Sequence, residues 1–429
     1  MQDAQKMCRH YPKCGGCMYQ DISYDAELRI KEEQVRKMLA AVIGEEKYDK
    51  AYQGITPSPL CEGYRNKMEL SFGDCQKGGP LTLGMHKKRS FYDVLPTTDC
   101  LIAGNDMRIV SEATLSYFRK KGVSYYHKRR HEGYLRHLLL RESKKTGQLL
   151  VDLVTSGDTK DLPCDEEMII NEWCELIKNQ DYTGSLVGIL HTRNDRPADV
   201  VEDQGTTVLY GNGEFEEELL GLRFKITPFS FFQTNSLGAE KLYGIVRDWI
   251  SEGKKTYNTI FDLYCGTGTI AQIVAPIAKK VVGVEIIKEA VGAAIQNAKV
   301  NNLDNCSFIA QDVTKALDEI EERPDYIILD PPRSGVHPKG LPKILSYGVE
   351  NILYISCKPQ NLVSDIPACL EAGYKVERIM CVDLFPRTGN VETVCLLGRR
   401  KPDDTIKVSV NMDDYYQIRD AEEAEKNPS

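Results

Sequence analysis

Nowhere does this chain run to 18 consecutive apolar residues, so it offers no helix able to span a bilayer. Its first residues, MQDAQKMCRHYPKCGGC, lack the apolar centre of a secretion signal. Together these absences lead to the expectation of a cytoplasmic protein, in a compartment where structural disulfides are rare. An excess of positive charge is missing too: 55 Lys and Arg against 63 Asp and Glu leave −8, which argues against indiscriminate nucleic-acid binding. There is no internal repeat and no long low-complexity linker. What the chain does have is cysteine, 14 in 429 residues. With disulfides set aside, clustered thiols call for metal, catalysis or packing.

The acidic total conceals an uneven distribution. Residues 119–145 hold ten Lys and Arg against two Glu, interleaved with Tyr125, Tyr126, His127, His131 and Tyr134. That mixture suits phosphate contact with stacking on unpaired bases; the alternative is a solvated charged face. Residues 402–429 hold eight Asp and Glu against three Lys and Arg and read as a mobile acidic tail. Length and pattern predict more than one domain: a region over 1–223 of α+β character, a second over 224–401 and the tail over 402–429. In the second region strand-like runs (259–264, 280–285, 307–310, 326–330, 352–356, 375–382, 392–397) alternate with helix-like runs, the signature of a doubly wound, mostly parallel α/β sheet.

Ligands bind such sheets at the carboxyl ends of the strands, and the chemistry-bearing residues fall there. FDLYCGTGTIA (Phe261–Ala271) reads as strand, glycine turn and helix start, and Glu285 ends the next apolar run, where a carboxylate can accept both ribose hydroxyls. Asp330-Pro331-Pro332 forms a rigid loop after a third strand, which favours S-adenosylmethionine over a nicotinamide dinucleotide. NILYISCKPQ (Asn351–Gln360) delivers Cys357 to the end of a fourth strand, and LFPRTGNVET presents Glu392 at the start of a last one. A lone cysteine is more often packed than reactive. Here a thiol and a carboxylate at the rim of a methyl-donor pocket match the needs of pyrimidine carbon methylation. Thiolate addition at C6 makes C5 a nucleophile, and a base must then remove the C5 proton. Arg333, Lys358 and Arg387 are candidates to favour the thiolate or hold phosphate; Phe229, Phe231 and Phe232 either cover the pocket or pack in the core.

At the other end, Cys8, Cys14 and Cys17 with Cys100 give four thiols in two loops. Spacing leaves three readings open: a zinc site using His10 or Cys100 as fourth ligand, a four-iron cluster, or unligated loop cysteines.

The motifs SFFQTN, DLYCGTGT, GVE, DPPR, YISCKP and FPRTGNVET, in that order over 229–399, resemble those of the bacterial RNA uracil-C5 methyltransferases, in particular the ribosomal-RNA branch. The resemblance implies a Rossmann-like class I methyltransferase domain preceded by an α+β RNA-binding domain. It implies Gln233, Tyr264, Glu285 and Asp330 as S-adenosylmethionine contacts, Cys357 as nucleophile and Glu392 as base. It further implies a [4Fe-4S] cluster on Cys8, Cys14, Cys17 and Cys100, and 23S ribosomal RNA, at a loop or single-stranded uridine, as substrate; the sequence does not fix the oligomeric state, and a monomer is the expectation. Transfer RNA is the alternative substrate, and a non-catalytic iron–sulfur RNA-binding protein the alternative function. Two residues depart from the family pattern: Lys358 follows the nucleophile where Asn is common, and Thr269 stands where some members have Asn. With the first cysteine at residue 8, the expectation is a chain without the extra β-barrel found in many ribosomal members.

Overall fold

The apolar runs of the second half assemble into one sheet. The computed structural model describes residues 7–198, 201–252 and 256–399; the acidic tail expected over 402–429 lies outside the described residues. Eight strands lie side by side in the order Tyr52–Thr56, Tyr374–Val382, Glu392–Arg399, Asn351–Ser356, Tyr326–Leu329, Tyr257–Leu263, Ala278–Glu285, Cys306–Ala310. All neighbours are parallel except Glu392–Arg399, which runs antiparallel to the strand on either side. Tyr326–Leu329 is buried throughout, as a central strand packed on both faces must be. The chain leaves Tyr257–Leu263 toward one edge, then returns to its other side at Tyr326–Leu329 and continues the opposite way. That reversal opens a crevice at the carboxyl ends of these two strands, the position at which doubly wound sheets take their ligands.

Elements from both sides of the expected border near residue 223 build the large sheet. Helix Tyr24–Ile43 and strand Tyr52–Thr56 belong to the large sheet, the strand pairing parallel with Tyr374–Val382. Val35, Leu39, Ile43 and Tyr48 share a core with Ile379, Cys395 and Leu397. Residues 223 and 224 themselves fall inside a hairpin, Phe215–Leu219 with Leu222–Ile226, whose Phe215 and Phe224 pack with Leu242 and Val246 of helix Ser236–Ser251. No separate iron–sulfur domain is present among the described residues, which corrects that part of the expected fold.

Between these segments lies a six-stranded sheet in the order Leu81–Gly84, Lys67–Asp74, Leu135–Glu142, Gln148–Thr155, Ser185–Arg193, Thr206–Gly211. Helices Asn105–Lys121 and Glu166–Lys178 pack against it, Phe118 and Trp173 stacking at 6.4 Å within the core. Part of the basic segment 119–145 is therefore interior: Tyr134, Arg136, His137 and Arg141 are buried on or beside the strand Leu135–Glu142. Its exposed charge lies at the helix end, in the loop around residues 128–132 and at Lys145. Among the described residues no helix is long and apolar enough to cross a membrane.

Candidate active site

Cys357 follows the last residue of strand Asn351–Ser356 and is half-buried. Pro359 opens helix Pro359–Glu371, where its missing N–H goes unneeded, so the thiol sits at a sharp strand-to-helix junction. The Ser356 hydroxyl donates to the Lys358 carbonyl at 2.7 Å and braces the turn. The Lys358 side chain itself is exposed. Burial pushes the Cys357 thiol up, and the negative charges of Glu392 and Asp330 add to this, while Arg333 pulls it down.

Because Glu392–Arg399 is antiparallel, its first residue lies at the same sheet edge as the carboxyl ends of its neighbours. Thr393 pairs with Ser356 and Glu392 with Val382, which brings Glu392 beside Cys357. Glu392 is 3 % exposed, and desolvation, then the charge of Asp330, push its carboxyl up to about 8, against a lowering by Arg333. Asp330 is pushed up to about 7 by burial alone. A carboxylate this dry is a far stronger base than one in water.

The donor crevice is built from backbone as much as side chains. Tyr264 holds φ at 68°, a left-handed conformation that non-glycine residues seldom adopt, and Gly266 and Gly268 follow at 54° and 70°. A Cβ on Gly268 would lie 2.6 Å from the Phe308 ring and 2.9 Å from Ala294, so only glycine lets this turn close. Glu285 accepts the Gly266 N–H at 3.1 Å and the Ile287 N–H at 2.9 Å, one on each oxygen. Each oxygen keeps a lone pair for a ribose hydroxyl. Gln233, on the loop before helix Ser236–Ser251, is hydrogen-bonded to the Tyr243 hydroxyl, and Tyr243 in turn feels the charges of Asp330 and Glu392. The four expected donor contacts and the two expected catalytic residues thus converge on one sheet edge.

Other expectations fall elsewhere. Arg387 is no phosphate ligand: it is 5 % exposed and its guanidinium donates to the carbonyls of Tyr19 and Ile22 at 3.4 and 3.3 Å and to Glu27 at 3.5 Å. Phe232 is in the core, whereas Phe231 is exposed. Cys8, Cys14, Cys17 and Cys100 line one cavity of about 270 Å³ beside Arg65, Glu69 and Met85. Among the described residues, however, no three Cys, His, Asp or Glu are gathered into a group that could hold a metal ion. The ligand group that the expected cluster needs is not formed among the described residues.

Several residues that serve the site carried no signal in the motifs. Lys31 is fully buried and donates to Glu27 and Asp383 at 2.7 Å each and to the Phe385 carbonyl at 3.2 Å. It fastens helix Tyr24–Ile43 to the loop that leads into Glu392. Arg141, also buried, donates to the carbonyls of Pro228 and Ser230 and pins the loop that carries Gln233. Asn66 donates to the Gln233 carbonyl at 2.8 Å and to Ser236 Oγ at 2.6 Å. Asp262, 0 % exposed, accepts from the Ala271 N–H at 2.8 Å and ties the helix after the glycine turn to its strand. A lysine on an amphipathic helix or an asparagine beside a strand looks ordinary in sequence; only long-range contact gives it a task.

Comparison with known proteins agrees with this geometry and corrects one expectation. A family model described as tRNA (uracil-5-)-methyltransferase matches residues 218–400. An uncharacterized RNA methyltransferase of Clostridium tetani is 48 % identical, over 92 % of this chain and 84 % of its own length. One from Clostridium acetobutylicum is 46 % identical over the same shares. Among solved structures, the tRNA (uracil-54, C5)-methyltransferase of Pyrococcus abyssi, in complex with S-adenosyl-L-homocysteine, superimposes with a TM-score of 0.69 at 27 % identity, over 91 % of this chain and 88 % of that one. The narrower resemblance to an iron–sulfur, 23S ribosomal-RNA branch is overturned by these matches to transfer-RNA enzymes and by the missing ligand group. The broader one holds: this chain belongs to the RNA (uracil-C5)-methyltransferase family, enzymes that take their methyl group from S-adenosylmethionine.

Proposed function

We propose that the protein methylates uracil C5 in transfer RNA, with Cys357 as nucleophile and Glu392 as base. The observation that carries the chemical roles is the antiparallel last strand, which sets a buried, basic carboxylate beside Cys357 at the end of the neighbouring strand. The whole-length likeness to the Pyrococcus abyssi enzyme supports transfer RNA as the substrate. In this reading the Cys357 thiolate adds to C6 and the displaced electron pair makes C5 an enolate carbon. C5 takes the methyl group from the sulfonium of S-adenosylmethionine, and S-adenosylhomocysteine departs. Glu392 then removes the C5 proton, the C5–C6 double bond reforms and the Cys357–C6 bond breaks, returning the thiolate. Gln233, Tyr264, Glu285 and Asp330 hold the donor. Electron pairs come from the thiolate and return to it, so no step is assigned to a cluster at the N-terminal cysteines. The target base must leave its stack to reach Cys357, which favours a loop uridine.

The test is mass-spectrometric mapping of 5-methyluridine in transfer and ribosomal RNA from a strain lacking the gene. The expected result is a mark lost from transfer RNA and restored by the wild-type gene but not by Cys357→Ala. A mark lost only from ribosomal RNA would end the substrate assignment while leaving the chemistry standing.

A further inference from the structure

Two exposed loops of the central region meet in a way that neither folding nor the methyl-transfer site explains. The turn 86–93 (HKKRSFYD) is closed by the His86–Val94 bridge and by the Lys87 N–H on the Asp93 carbonyl at 2.9 Å. The loop 127–132 (HKRRHE) is closed by the His127 N–H on the Glu132 carbonyl at 2.7 Å. Lys128 places its ammonium 4.7 Å from the Phe91 ring centre, and Arg129 its guanidinium 4.5 Å from that of Tyr92, whose hydroxyl accepts from Arg129 Nε at 2.8 Å. The two rings meet edge to face at 5.3 Å and stay 60 % and 44 % exposed. Such packing holds two aromatic faces in water instead of burying them.

The charge is concentrated to match. Lys87, Lys88 and Arg89 on one loop and Lys128, Arg129 and Arg130 on the other make six cations; Asp93 and Glu132 are the two acids, leaving four positive charges in a chain whose total is −8. The loops are also continuous with the active-site rim. The Lys88 N–H donates to the Lys13 carbonyl at 2.8 Å and the Gly15 N–H to the His86 carbonyl at 3.1 Å. Three residues on, the Met18 N–H donates to the Arg387 carbonyl at 2.6 Å, on the loop that leads into Glu392.

We propose that loops 86–93 and 127–132 form an RNA platform outside the catalytic crevice, which binds phosphates flanking the target loop and stacks an unpaired base on Phe91 or Tyr92. Cations neutralise phosphate and release counterions, while an aromatic face accepts any base. This rests on the methyltransferase reading for its substrate but not for its binding.

The triple variant Lys88→Gln, Arg89→Gln, Arg130→Gln tests it, with full-length transfer-RNA transcript as the probe and filter binding across a salt series as the readout. Three lost phosphate contacts at about 0.7 counterion each should flatten the log–log salt slope by about 2 and weaken binding about 100-fold near 0.1 M salt. In methylation assays the loss should fall on KM for RNA rather than on kcat. Phe91→Ala with Tyr92→Ala should weaken binding without changing the slope. Lys37→Gln, Lys47→Gln, Lys50→Gln, a matched charge change on exposed positions of helices Tyr24–Ile43 and Glu45–Ala51, should bind as wild type. A platform variant with wild-type slope and KM, and unchanged thermal unfolding, overturns the proposal and leaves the enzyme reading intact. If instead the wild-type protein transfers no methyl group to RNA yet the variant still loses RNA affinity, the enzyme reading fails and the platform survives.

Discussion

A carboxylate that must take a proton from carbon gains from being dry, and a thiol beside it suffers for the same reason. Glu392 and Cys357 share that tension: burial raises the proton affinity of both, and the charge of Glu392 raises that of Cys357 further. Replacing Glu392 with Gln leaves the shape and removes both the base and the charge. Two results are expected. With S-adenosylmethionine and ordinary RNA, Glu392→Gln should accumulate a methylated covalent adduct, seen as a band that survives denaturing electrophoresis, because nothing removes the C5 proton; turnover should fall by about 10²–10⁴. A variant that turns over normally removes Glu392 from the base role. In the free enzyme, the pH midpoint for alkylation of Cys357, followed by peptide mass spectrometry, should move down in Glu392→Gln, since an ionised neighbour no longer opposes the thiolate. A midpoint that stays or rises contradicts the coupling.

Among the elements, the last strand and the first long helix decide the site together. Glu392 lies at the crevice only because its strand runs against its neighbours, and the loop before it is held by Lys31, Glu27 and Asp383, all buried. Lys31→Met fills the same space but strands two carboxylates in the interior, an effect on the order of 3–5 kcal/mol when one partner of a buried set is removed. Urea unfolding should show that loss; a midpoint shift of less than a tenth of it would mean that the set relaxes freely. Lys31→Met with Glu27→Gln and Asp383→Asn should recover much of the stability. Thr269, which stands where some family members have Asn, starts helix Thr269–Val274 and is buried, its hydroxyl 3.4 Å from that of Thr267.

For the molecule as a whole, three raised carboxyls at one crevice tie stability to pH. Asp262 and Glu392 are pushed up to about 8 and Asp330 to about 7, against about 4 in an unfolded chain. Between pH 4 and 8 the folded state therefore holds more protons than the unfolded one at these groups, and their contribution to stability falls as pH rises through that window. Wild-type thermal midpoints should drop from pH 5 to pH 8 more steeply than those of Glu392→Gln measured in parallel. Equal slopes would show that Glu392 does not titrate in this range.

The sequence by itself determined the mostly parallel sheet and which residues gather at its carboxyl edge. Fully buried central strands read as continuous apolar runs, and turns that need positive φ favour glycine, so the order of runs, the DLYCGTGT turn, Glu285, Asp330, Cys357 and Glu392 could be read directly. It also made the basic segment 119–145 look like one face, because charge is visible in sequence and burial is not; the fold puts Arg136 and Arg141 inside. What only the tertiary structure decided are relations between distant residues. The strand Tyr52–Thr56 joins a sheet whose nearest neighbour in space is more than 300 residues away in the chain. Lys31 becomes the anchor of the loop before Glu392, and Arg387 turns inward to Glu27 instead of outward to phosphate. Four cysteines that share one cavity do not thereby make a metal site, since ligation depends on where the sulfurs point, and no spacing in a sequence fixes that direction.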